Sequence, residues 1–131
     1  MPDFVYHVYN AQLSGLPGRV STGTYLTRLT DTSLQSKNST KACPSTLKRP
    51  TGYDCDEYPF ASTYQGAYSS GATLARSFAG CGMPDPQRTG PAGWSRCFIL
   101  SGQNRSAGGT TAGFYANERM LANDPFEIGY L

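Results

Sequence analysis

The sequence predicts an α+β fold: one small domain in which helices pack against a mostly antiparallel sheet. Two observations carry this. The last 36 residues run strand, loop, helix, strand in their apolar patterning, and 131 residues with 15 glycines and 9 prolines suit a single core built from short elements.

In chain order, Phe4-Val5-Tyr6-His7-Val8-Tyr9 is rich in strand formers, and after the Gly15-Leu16-Pro17-Gly18 turn the stretch Val20 to Leu29 reads as a second strand. His7 is expected to pack or hydrogen-bond within the first strand, because nothing beside it in sequence offers a catalytic partner. Residues 31–52 are polar and read as a loop. Their four cations, Lys37, Lys41, Lys48 and Arg49, make either a solvated surface or a basic rim that meets phosphates. Pro59 is placed in the first turn of a short helix. Residues 83–95 hold three prolines and form a loop, and Arg96 to Ser101 is the best apolar strand. Gly102 to Gly109 reads as a polar loop. Thr110 or Thr111 then caps a helix reaching Ala122, since Phe114, Tyr115, Glu118 and Leu121 follow helical spacing. Asn123-Asp124-Pro125 ends it, and Phe126 to Leu131 closes the domain as a strand.

No run approaches the roughly 18–20 apolar residues that span a membrane. Cys43, Cys55, Cys81 and Cys97 lack zinc-knuckle spacing, and His7 is the one histidine. Two disulfides fit better. Of the three connectivities, Cys43 with Cys55 and Cys81 with Cys97 comes first, because each closes a loop of moderate length; such bonds imply an oxidising compartment. Met1-Pro2-Asp3 has no basic start or apolar segment, so the chain reads as a mature or excised domain.

The net charge of +2, from 11 Lys+Arg against 9 Asp+Glu, neither requires nor excludes a polyanionic partner. The acids are unevenly placed: Asp54, Asp56 and Glu57 fall within four residues. Like charges this close are either spread into solvent or used for metal binding or acid–base work.

Their surroundings favour the chemical reading. Gly52-Tyr-Asp-Cys-Asp-Glu-Tyr-Pro-Phe-Ala61, preceded by Arg49-Pro50, resembles the signature of the NucA/NucB family of secreted bacterial deoxyribonucleases. Asn104-Arg-Ser-Ala-Gly108 is similar to a second motif of that family, followed in order by Asn117-Glu118. The resemblance covers about residues 43–131 and leaves 1–42 without a counterpart. It implies a ββα-metal nuclease core, with Asp56 as general base and Asn104 and Glu118 holding one divalent cation, Mg²⁺ or Mn²⁺. Glu57 would orient the base or the cation's water, with Asp54 and Asn117 in support. Aligning Glu118 with the family's acid places about four extra residues at 108–111.

The chemistry is consistent with this reading. Phosphodiester hydrolysis needs an activated water, a cation to offset developing charge and a proton for the leaving oxygen. A carboxylate is a weak base unless burial or a neighbour such as Glu57 raises its pKa. Arg105 and Arg119, next to the proposed ligands, are candidates to brace the phosphate, and Lys48 and Arg49 to bind substrate. The expected partner is DNA, with RNA secondary and base-independent contact dominant. A secreted monomeric nuclease and an exported toxin domain with an immunity partner both fit. The alternative is a disulfide-braced extracellular module that binds glycans or polyanions without turnover.

Overall fold

The structure, a computed structural model, describes residues 2–129. Its centre is a pair of antiparallel strands, β2 (Tyr53–Tyr58) and β4 (Trp94–Leu100), paired from Tyr53 with Leu100 to Tyr58 with Ser95. β3 (Ala75–Arg76) adds to β4 in parallel, so this sheet is mixed and β2 lies at its edge. A small second sheet pairs β1 (Leu26–Thr27) antiparallel with β5 (Pro125–Phe126). Among the described residues three helices complete the α+β domain: α1 (Pro2–Leu13), α2 (Thr32–Ala42) and α3 (Ser101–Asn117). Since β4 runs directly into α3, the elements β2, β4 and α3 form a ββα unit.

Both disulfides have the expected connectivity, Cys43–Cys55 and Cys81–Cys97. The first ties the end of α2 to β2, one residue before Asp56. The second joins Ile99 in a buried cluster on the sheet.

Several local expectations are corrected. Residues 4–9 are helical. Their aromatic and β-branched content suggested a strand, but Val8 and Ala11 pack into the core one helical turn apart, with Phe4 against the same cluster. That core also holds Leu16, Leu26, Tyr58, Tyr115 and Phe126. Of the strand expected over residues 20–29, Leu26–Thr27 is extended and paired, and Arg28 adds an isolated bridge to Thr63.

The polar stretch 31–52 contains α2, whose N-cap Asp31 accepts a hydrogen bond from the Leu34 amide at 3.1 Å. This helix buries an amide in place of a hydrophobic stripe. Asn38 has no exposed surface, accepts from the amides of Tyr68 and Ser69, and donates to Ala61 and Thr63 carbonyls. Gly66 packs directly against it, where an added Cβ would lie 2.5 Å from the amide. Pro59 is not helical; it follows β2 through a cis bond to Tyr58.

The loop expected at 102–109 is the first half of α3, and the expected extension of the helix to Ala122 stops at Asn117. Four glycines in 17 residues argue against a helix. Packing overrides them, because Ala107 and Tyr115 anchor one face to the protein. Gly109 is exposed, with nothing within 4 Å of an added Cβ. Gly109→Ala should therefore raise stability by about 0.5–1 kcal/mol, read as a higher midpoint in urea with an unchanged slope. The closing strand is short, Pro125–Phe126, and residues 130–131 of that expectation lie outside the described residues.

Candidate active site

Because β2 is an edge strand, side chains from both of its faces reach one open cleft. Residues at successive positions of a strand normally point to opposite sides. Here Asp56 faces α1 and Glu57 faces α2, yet both line a cleft of about 700 Å³ that wraps around the strand edge. Ser36, Ser39 and Thr40 of α2 form one wall, and Asn104, Ala107 and Thr111 of α3 form the other.

Asp56 is buried, with 7% of its surface exposed. Its Oδ2 lies 2.6 Å from Nδ1 of His7, which has no exposed surface, and the other ring nitrogen of His7 lies 2.8 Å from Ser95 Oγ. The histidine assigned to a strand therefore sits on a helix and contacts the proposed base. Its signal in the sequence was the helical spacing of Phe4, Val8 and Ala11, which puts His7 beside Val8 on the inward side.

Glu57 accepts from Ser39 Oγ at 3.1 Å through Oε1, and its Oε2 is buried with no hydrogen-bond partner among the described residues. Part of the residue reaches the surface, but this oxygen does not. Burial pushes the carboxyl up to about 7; the Ser39 bond opposes the rise and the neighbouring Asp56 charge adds to it.

Asp54 accepts from Ser101 Oγ at 2.7 Å and from Asn104 Nδ2 at 3.0 Å. These two bonds hold its carboxyl below the ordinary value against burial, with smaller help from Arg105 and Arg49. The Asn104 contact also settles that amide: its nitrogen is committed to Asp54, which leaves Oδ1 as an acceptor on the cleft wall.

The structure does not bring the other predicted ligand here. Asn104 and Glu118 are 14 positions apart on α3 and its C-cap, which at 1.5 Å per residue is roughly 21 Å, so they cannot share one cation. Asn117 and Glu118 are exposed at the far end of that helix. Arg119 follows them with φ of 51° and lines a neighbouring hollow, away from Asp56 and Glu57. Arg105 is exposed beside Asp54. Arg49 folds back to donate to the carbonyls of Cys43, Pro44 and Leu47, and lines a hollow shared with Asp56, Glu57 and Asn104. Lys48 is exposed and outside both hollows.

A cation that the sequence reading passed over stands on the cleft wall instead. Arg28 stacks over the Tyr115 ring at 4.0 Å, donates to the Leu29 carbonyl, and keeps a buried Nε with no hydrogen-bond partner among the described residues. Its signal was weak, since one arginine in a Thr/Leu-rich stretch looks like any surface cation.

The family model for deoxyribonuclease NucA/NucB matches residues 20–129. The chain belongs to this family. Membership supports a DNase function, and the lining residues of the carboxylate-bearing cleft other than Phe4 lie inside the matched span. The match takes in residues 20–42 and leaves α1 outside. Searches of curated proteins and of solved structures returned no match. Among the described residues no group of three or more His, Cys, Asp or Glu side chains is placed to hold a metal ion. None of the described helices is long and apolar enough to cross a membrane.

Proposed function

We propose that this NucA/NucB chain hydrolyses DNA phosphodiester bonds with Asp56 as general base and one divalent cation, Mg²⁺ or Mn²⁺. The observation that carries this reading is the convergence of Asp56, Glu57, Asn104 and Arg28 on one cleft. Asp56 has one oxygen engaged by His7, which leaves the other for a water in the cleft. That oxygen takes the water's proton as the water attacks phosphorus, and the leaving sugar oxygen recovers a proton from solvent.

The donor set fits a hard cation, though not through the ligand pair expected from sequence. Glu57 offers a buried carboxylate oxygen that lacks a hydrogen-bond partner among the described residues, and Asn104 an amide oxygen left available by the bond of its nitrogen to Asp54. Two such protein ligands leave the remaining positions to water and phosphate, as Mg²⁺ and Mn²⁺ prefer. When bound, the cation would neutralise charge building on the phosphoryl oxygens. Arg28 complements it from the cleft wall, where its guanidinium group can donate to a phosphate oxygen. The two disulfides suit an oxidising, extracellular setting.

Incubation with supercoiled plasmid tests the reading. Nicking is expected with Mg²⁺ or Mn²⁺ and is expected to stop with EDTA. A folded protein that nicks under neither cation rejects it, and retained DNA binding would then favour the non-catalytic polyanion module. Arg28→Ala should lower kcat/KM by about 10–100-fold, the size of a lost charge-assisted hydrogen bond. Arg28→Lys should recover part of that loss, and steady-state kinetics on a short duplex would measure both.

A further inference from the structure

We infer that α1, which lies outside the family match, is part of the active centre, and that its His7 is a positioning residue for Asp56. The inference rests on the reading of Asp56 as the base.

Three observations carry it. The contact is short and buried: Nδ1 to Oδ2 is 2.6 Å, His7 has no exposed surface and the Asp56 side chain has 9%. An ionised carboxylate can only accept, so Nδ1 carries the hydrogen that faces it. The contact also fixes which oxygen remains for water. A carboxylate on an edge strand could rotate about its terminal torsion, and the His7 bond holds Oδ2 toward α1 while Asp56 still lines the cleft.

Third, a hydrogen-bond chain leads from this contact into the core. From His7 it passes to Ser95 Oγ, which lies 3.4 Å from the Tyr58 carbonyl, and His7, Ser95 and Tyr58 are all fully buried. It ends on backbone inside the protein. A proton taken up by Asp56 has no exit along this route, so His7 orients the base and does not relay its proton. Phe4 of α1 also lines the cleft and stacks on Phe60 at 6.1 Å, so the helix builds the cleft wall as well as the contact.

Two substitutions separate positioning from packing. His7→Asn keeps an N–H near the Nδ1 position and loses the bond to Ser95; His7→Gln keeps the Nε2 position and loses the bond to Asp56. Each removes one buried hydrogen bond, so similar losses of thermal stability are expected. If His7 positions Asp56, His7→Gln should lower kcat by about 100-fold with KM within about 2-fold, and His7→Asn should stay within about 5-fold of the unsubstituted protein. Equal activity losses that follow thermal stability would overturn the inference.

Proton NMR on the unsubstituted protein gives a readout that does not depend on how the variants fold. A protected, downfield imidazole N–H signal is expected, and its absence would also overturn the contact. The two readings fail differently. Full cleavage by Asp56→Asn rejects Asp56 as base even with the NMR signal present. An inactive Asp56→Asn beside a His7→Gln of unchanged kcat rejects the positioning role alone.

Discussion

Asp56→Asn is expected to lower plasmid cleavage by about 10²–10⁴-fold, the usual size of a general-base contribution, with a melting temperature close to that of the unsubstituted protein. The choice of asparagine follows from the burial of the site. Asp56→Ala would leave His7 Nδ1, fully buried, without its acceptor at 2.6 Å, at a cost of about 1–3 kcal/mol. Lost activity could then reflect a disturbed α1 and not a missing base. The asparagine carbonyl still accepts from Nδ1 and fills nearly the same volume, but it cannot take a proton from water. Initial rates of supercoiled plasmid nicking, with thermal unfolding of the same samples, make the test. Undiminished nicking would remove Asp56 from the chemistry and leave Glu57 as the acid in the cleft.

The part of the site readable from the sequence is the part that is contiguous. Asp54, Asp56 and Glu57 share one strand, and the fold brings them to Asn104 because β2 and the start of α3 are neighbours in the ββα unit. β4 was legible because its apolar run is long, and the disulfides because short loops favour sequential pairing. Residues brought in from elsewhere were not legible. His7 and Arg28 enter from α1 and the residue after β1, and neither carries a local pattern tied to its partner. Glu118 failed for the opposite reason. A motif spacing was carried across a segment that proved to be continuous helix, and a helix separates its residues by a fixed rise. α2 was missed because it is held by a buried amide, Asn38, which hydropathy patterning scores as solvent-facing.

Glu57 should make the protein less stable as pH rises, and a divalent cation should reverse this. In the unfolded chain its carboxyl titrates near the ordinary 4.5, while burial in the fold pushes it up to about 7. Between these values the folded state holds a proton that the unfolded state has lost, so stability declines with pH across that window. The contribution is fully present below about 4.5, falls as pH passes through about 7, and is level above it. The gap corresponds to roughly 3 kcal/mol, or on the order of 10 °C in Tm for a chain of this size. Glu57→Gln should flatten the profile in that window, since the glutamine does not titrate there. The variant comparison removes the contributions of other groups. At pH 8 in chelator the charged Oε2 has no hydrogen-bond partner among the described residues. Mg²⁺ or Mn²⁺ at about 100 times its Kd should then stabilise the protein by about 2.7 kcal/mol, and this gain should be largely lost in Glu57→Gln. Scanning calorimetry in chelator from pH 4.5 to 8.5, repeated with each cation, reads both effects without measuring activity. Identical slopes for the two proteins would reject the raised carboxyl, and an equal cation-dependent rise in Tm would move the cation away from Glu57.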